Sequence, residues 1–259
     1  MSQLLLLSNS ATYRGPFLEH AAETIAEVLG GRRLLFVPYA LADHAGYTAR
    51  VRAALSAVAG AGTEVTGLEE AHDPVAAVRA AEAVFIGGGN TFRLLKALQD
   101  RGLVPVLRDR VLAGGVPYLG SSAGTNMACP SLRTTNDMPI VQPSSFEALS
   151  LVPFQINPHY VDPDPASRHM GETREERISQ FHEENDVPVL GLREGSWLRV
   201  WGDGAAGSSV TGGRAVIGGL NGARLFDRDA QPRELAAGDD LSFLLARTAR
   251  FDTQNVAEL

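Results

Sequence analysis

Val116-Pro117-Tyr118-Leu119-Gly120-Ser121-Ser122-Ala123-Gly124-Thr125-Asn126-Met127-Ala128-Cys129 is the stretch on which the fold turns. Val116 to Leu119 reads as a buried strand and Ala123 to Cys129 as a helix. Between them Gly120-Ser121-Ser122-Ala123-Gly124 matches G-x-S-x-G, a sharp strand-to-helix turn that exposes a hydroxyl above a sheet. Flanking glycines remove side chains that would clash around the unusual backbone of the third residue, Ser122. Ser121 is the other hydroxyl, at the less favoured position. The helix after the turn points free N–H groups and its positive dipole end back at the serine. The N–H of Ala123 is thus a candidate oxyanion donor. A plain tight turn of small residues would carry the same letters; the strand before and the helix after favour a nucleophile.

Upstream of this stretch two periodicities alternate. Apolar runs at Leu4–Leu7, Leu34–Val37, Glu64–Leu68 and Ala83–Ile86 read as strands. Helical spacing covers Leu18–Leu29, Tyr47–Val58, Pro74–Ala81, Thr91–Asp100 and Val104–Ala113. Strands separated by helices form parallel β-α-β units with right-handed crossovers. The expectation is α/β: a doubly wound, mostly parallel, flavodoxin-like sheet. Downstream, Val152–Ile156 and Val189–Leu192 read as strands and Thr173–Glu184 as a helix. Trp197–Phe226 reads as glycine-rich hairpins on the sheet edge, giving a β-rich C-terminal edge. No linker or repeat divides the chain, so residues 1–259 are expected to form one domain, with a loose tail from about residue 252.

Ligands of such sheets bind beyond the carboxyl ends of the strands. That rule singles out the turn at Ser122 and the turn Gly87-Gly88-Gly89-Asn90. The second turn does not match G-x-G-x-x-G, since Phe92 fills the sixth position, and it follows the fourth strand, so a dinucleotide site is not expected. It is either a tight turn or a set of N–H groups facing an anion, such as an oxyanion over Ser122.

Composition narrows the partners. The chain is 44% hydrophobic, with 23 basic and 30 acidic residues and a formal charge of −7. An acidic surface repels phosphate backbones, so nucleic acid is not an expected partner. The single cysteine, Cys129, fits a reducing compartment. The apolar run at the start lacks a basic flank and a cleavage site and is too short to cross a bilayer. A cytoplasmic protein without a membrane partner is the expectation.

A hydroxyl nucleophile needs a base and an orienting acid. Of six histidines, His159 stands out because Asn157-Pro158-His159-Tyr160 follows directly on a strand end, among restrictive residues. No histidine or cysteine spacing suggests a metal site. Two carboxylates compete for the third place: Asp137 in the polar loop Thr134–Pro139, and Glu194 just past Leu192. Either could be an ordinary solvated group or a turn cap.

These blocks are similar to those of the peptidase E family, bacterial α-aspartyl dipeptidases of the serine peptidase class. The resemblance runs from Leu4-Leu5-Leu6-Leu7-Ser8-Asn9-Ser10 to about Trp197. It takes in Gly87–Phe92, Ser122-Ala123-Gly124, Arg133–Ile140, Gln155–His159, Gly171–Arg174 and Glu194-Gly195. It implies a fold like that of class I glutamine amidotransferases, Ser122 as nucleophile and His159 as base. It leaves Asp137 and Glu194 both open as the acid. It further implies Arg174 as partner of a substrate aspartate; Asn90 is a second candidate substrate contact, and the two glycine-flanked turns offer Gly88, Gly89 and Ala123 as candidate oxyanion donors. The implied substrate is a small Asp-Xaa peptide, cut without a cofactor. Ser121 departs from the family, which has a larger aromatic residue there. Gly202 to Gly219 and the C-terminal end match poorly, and the oligomeric state is not implied. Two other readings remain: a cyanophycinase-like peptidase acting on aspartyl–arginine chains, and a non-catalytic small-molecule binder. A glutaminase would need cysteine where Ser122 stands.

Overall fold

Leu4, Leu5, Leu6 and Leu7 are all fully buried, but in alternating directions. Leu4 and Leu6 join one apolar cluster, while Leu5 and Leu7 join another on the opposite face. Side chains alternate along a strand, so a run buried on both faces must lie between two layers. The computed structural model describes residues 1–59, 63–166, 168, 170–204 and 209–253.

The strands are β1 (Ser2–Leu7), β2 (Leu34–Val37), β3 (Val65–Gly67), β4 (Ala83–Ile86), β5 (Tyr118–Ser121), β6 (Gln155–Tyr160), β7 (Val189–Arg193), β8 (Ser196–Asp203), β9 (Thr211–Gly219), β10 (Ala223–Phe226) and β11 (Arg233–Leu235). The helices are α1 (Ala22–Leu29), α2 (His44–Val58), α3 (Pro74–Ala80), α4 (Thr91–Asp100), α5 (Leu103–Leu112), α6 (Ala123–Ala128) and α7 (Arg174–Glu184). One sheet has seven strands in the order β3-β2-β4-β5-β1-β8-β9. Its first five are parallel, and β8 and β9 extend it antiparallel beside β1. Ile25, Val28, Val51 and Leu55 of α1 and α2 cover one face; Leu94, Leu98, Leu107 and Met127 of α4, α5 and α6 cover the other. The doubly wound reading therefore holds.

A second sheet of four strands, ordered β11-β10-β7-β6, was not foreseen. Ile156, Leu190, Leu192 and Leu225 turn one of its faces into the main core. On its other face Val189, Tyr160 and Phe226 meet Ile178 of α7. Strand β6 also runs past its expected end at Ile156, through Pro158. Proline removes a ladder donor, which only an edge strand tolerates, and β6 is the edge. Strand β5 likewise lies further along than expected, ending at Ser121. Asp73 caps α3 by accepting from Ala76 N, and Thr173 with Glu176 forms a capping box on α7. No helix among the described residues is long and apolar enough to cross a membrane. Of the tail expected from about residue 252, Asp252 is tied to Arg133 and Thr253 to the Glu184 carbonyl. Residues 254–259 lie outside the described residues, as do 205–208 of the glycine-rich segment.

Two histidines away from the serine turn link this packing to pH. Both ring nitrogens of His20 are buried without a partner among the described residues, and burial lowers its pKa. Burial also lowers that of His182, whose Nε2 donates to the Val187 carbonyl at 3.0 Å. The unfolded chain protonates such groups near pH ~6.5, the folded chain only below that. Their contribution to stability is whole above that value and is lost as the pH falls through it toward the folded-state values. Denaturation midpoints should fall between about pH 7.5 and about pH 5.5, and fall less in His20→Leu. An equal fall in both proteins would remove His20 from this account.

Candidate active site

Ser122 caps α6 with φ 53° and ψ −109°, a strained conformation for a residue with a side chain. Its neighbours enforce it. A Cβ on Gly124 would sit 2.0 Å from the Ile86 carbonyl oxygen, and one on Gly120 would sit 2.6 Å from the Gly124 carbonyl oxygen. Only glycine lets the turn pack this tightly against the end of β4. Ser122 N donates to the Leu7 carbonyl at 3.1 Å.

His159 reaches this serine from the other sheet. It is a bulge: Pro158 pairs with Leu192 and Tyr160 with Arg193, which leaves His159 out of the ladder. Its φ is 54°. Bulges re-aim side chains, and here Nε2 lies 3.0 Å from Ser122 Oγ. On the far side of the ring, Nδ1 lies 2.7 Å from Glu194 Oε1. The His159 and Glu194 side chains are 39% and 55% exposed, so water reaches the pair.

Asp137 is engaged elsewhere. Its Oδ2 accepts from Thr91 N at 2.6 Å and from Thr91 Oγ1 at 2.5 Å, at the first turn of α4. A carboxylate there complements the helix dipole. Of the two carboxylates left open by the sequence, Glu194 is the one beside the imidazole. Asn90 is also committed: Oδ1 accepts from Arg93 N, and Nδ2 donates to the Met138 carbonyl. Arg174 opens α7, half-buried, with no ion pair among the described residues. Burial lowers its pKa, the nearby Arg177 adds to this, and the charge of Asp137 opposes it.

The expected oxyanion donors divide. Ala123 N–H opens α6 and Gly89 N–H sits in the turn; neither has an acceptor among the described residues. Gly88 N–H donates instead to the Tyr47 hydroxyl at 2.8 Å. Tyr47 is buried in α2, where no motif in the sequence marks it. Gly88 still lines the site, since a Cβ there would sit 3.1 Å from Ser122 Cβ. The thiol of Cys129 is fully buried, accepts from Ile156 N at 3.2 Å, and has its pKa pushed up by burial to about 12. It is unsuited to serve as a nucleophile.

A doubly wound α/β frame that presents a serine on a strained elbow, within reach of an imidazole backed by a carboxylate, defines a serine-type hydrolase. The chain belongs to peptidase family S51, whose model matches residues 4–207. Peptidase E of Streptomyces coelicolor is 62% identical over 251 residues, covering 96% of this chain and 98% of that one. A probable alpha-aspartyl dipeptidase of Drosophila melanogaster is 48% identical over 247 residues, covering 94% and 98%. Among solved structures, a peptidase from an acI-B1 Actinobacterium superposes with a TM-score of 0.63 at 17% identity, covering 94% of this chain and 97% of that one. That last likeness concerns the fold alone.

Proposed function

We propose that this chain is a serine dipeptidase that hydrolyses Asp-Xaa, with Ser122 as nucleophile, His159 as base and Glu194 as orienting acid. The observation that carries the reading is the line Ser122 Oγ, His159 Nε2, His159 Nδ1, Glu194 Oε1, with gaps of 3.0 and 2.7 Å. Its relatives named peptidase E and alpha-aspartyl dipeptidase support the substrate class.

In this reading Ser122 Oγ attacks the peptide carbonyl while its proton passes to His159 Nε2. Glu194 holds the tautomer that leaves Nε2 free to accept, and it stabilises the imidazolium. The developing oxyanion takes hydrogen bonds from the N–H groups of Ala123 and Gly89. Gly88 serves differently from the sequence expectation, since its N–H is spent on Tyr47 and fixes the turn. The imidazolium then protonates the leaving amine as the C–N bond breaks. Water repeats the sequence on the aspartyl ester and frees Ser122. The substrate is a small peptide and the reaction belongs in the cytoplasm.

Selectivity falls to Arg174. A half-buried guanidinium with no ion pair among the described residues suits a carboxylate bidentately, which a lysine cannot match. Asp-Leu, Asn-Leu, Glu-Leu and Ala-Leu, differing only at the first residue, test the assignment, with β-Asp-Arg as the competing substrate. Only Asp-Leu should turn over well; comparable turnover of Ala-Leu, or faster cleavage of β-Asp-Arg, would overturn it. Arg174→Ala should cut kcat/KM on Asp-Leu by about a hundredfold or more, the size of losing one partner of a buried charge pair. Arg174→Lys should recover little. An equal loss on Asn-Leu would argue against the carboxylate role.

A further inference from the structure

Leu7-Ser8-Asn9-Ser10, at the end of β1, sends one polar group after another to separate parts of the site. The Leu7 carbonyl accepts from Ser122 N at 3.1 Å and from Thr125 Oγ1 at 2.6 Å. Ser8 Oγ accepts from His159 N at 2.9 Å and donates to the Leu192 carbonyl at 2.8 Å. Asn9 Oδ1 accepts from Gly195 N at 2.8 Å, just past Glu194. Ser10 Oγ lies 2.7 Å from Ser121 Oγ. Ser8 is fully buried and Asn9 nearly so.

Ser122 rides on the seven-stranded sheet, whereas His159 and Glu194 sit at strand ends of the four-stranded one. Something must keep the two in register, because a misplacement of about 1 Å can cost about a hundredfold in rate. His159 also holds a positive φ, a conformation that persists only where its surroundings impose it. At the bulge its N–H has lost a ladder acceptor, and Ser8 Oγ takes that place.

We propose that Ser8 and Asn9 are positioning residues. Ser8 fixes the strained backbone of His159 so that Nε2 faces Ser122, and through Leu192 it ties that backbone to the strand leading to Glu194. Asn9 fixes the Glu194–Gly195 peptide. The roles rest on the functional reading above, but the device is a separate claim.

The test compares Ser8→Ala with Ser2→Ala. Ser2 is equally buried at the opposite end of β1, and its Oγ donates to the Val111 and Leu112 carbonyls there. Ser8→Ala should lower kcat on Asp-Leu by about a hundredfold with KM within about twofold. The rate of Ser122 labelling by a fluorophosphonate should fall in proportion. Ser2→Ala should lose comparable melting temperature yet keep its kcat. A Ser8→Ala protein with near-normal kcat would overturn the proposal. So would parallel activity losses in the two variants, which would make the effect one of stability. Should Ser8→Ala not fold, Asn9→Ala carries the test, with about a tenfold fall in kcat expected at constant KM; an unchanged kcat there overturns the proposal. Ser122→Ala run alongside separates the claims. If it turns over normally the functional reading fails; if it is dead while Ser8→Ala is normal, only the positioning role fails.

Discussion

Ser122→Ala is expected to lower kcat on Asp-Leu roughly a millionfold, and His159→Ala by a similar factor. The reason lies in the 3.0 Å contact between Oγ and Nε2. Without the oxygen there is no acyl-enzyme; without the ring the oxygen keeps its proton. The two act as one unit, so the double variant should be hardly worse than either single one. A residual rate above that in water should remain, because the N–H groups of Ala123 and Gly89 still face the carbonyl. Steady-state assays on purified single and double variants decide the matter. Retention of even a few per cent of turnover by Ser122→Ala, or multiplicative losses in the double variant, would exclude the proposed unit.

Glu194→Gln should cost up to about ten-thousandfold in kcat. The substitution keeps volume and reach but can offer an N–H to His159 Nδ1. The ring then carries its proton on Nε2 and cannot accept one from Ser122. Because Glu194 and His159 are 55% and 39% exposed, water can partly replace the lost acceptor, so that figure is an upper end. Asp137→Asn should act otherwise. Asp137 accepts from the first turn of α4 and lies within electrostatic reach of Arg174. The amide still offers an oxygen to Thr91 but lacks the charge, so the change should cost about 0.5 kcal/mol of stability, as a lost charge–dipole contact does, and raise KM more than it lowers kcat. A larger kcat effect from Asp137→Asn than from Glu194→Gln would transfer the acid's role to Asp137.

The sequence made the parallel sheet legible because its strands are apolar on both faces and its helices carry caps. Ser122 was legible for the same reason: glycine at Gly120 and Gly124 has a steric cause that shows in the letters. The second sheet was not, since β6, β7, β10 and β11 are short and pair out of chain order. Pro158 argues against a ladder beyond Ile156, and only the topology reveals β6 as an edge strand. The bulge that turns His159 toward Ser122 has no signature in composition. Asp137 and Glu194 could not be ranked, as each sits in a polar turn and only three-dimensional proximity tells them apart. Tyr47 has no motif around it, since a tyrosine on a helix serves as readily in a core as beside a site. Ser8-Asn9-Ser10 did leave a trace: polar residues follow four leucines directly, where a mere turn would have served with fewer hydrogen-bonding groups.

The order in which the groups appear along the chain matters during biosynthesis. A nascent polypeptide that has left the ribosome through β5 already carries Ser122, but His159 and Glu194 are still to come, and the edge of β1 stays open until β8 pairs with it. An incomplete chain therefore holds an inert alcohol. In the proposed reading, a chain that ends before β6 and β7 carries the serine without its ring and carboxylate, and should show no peptidase activity.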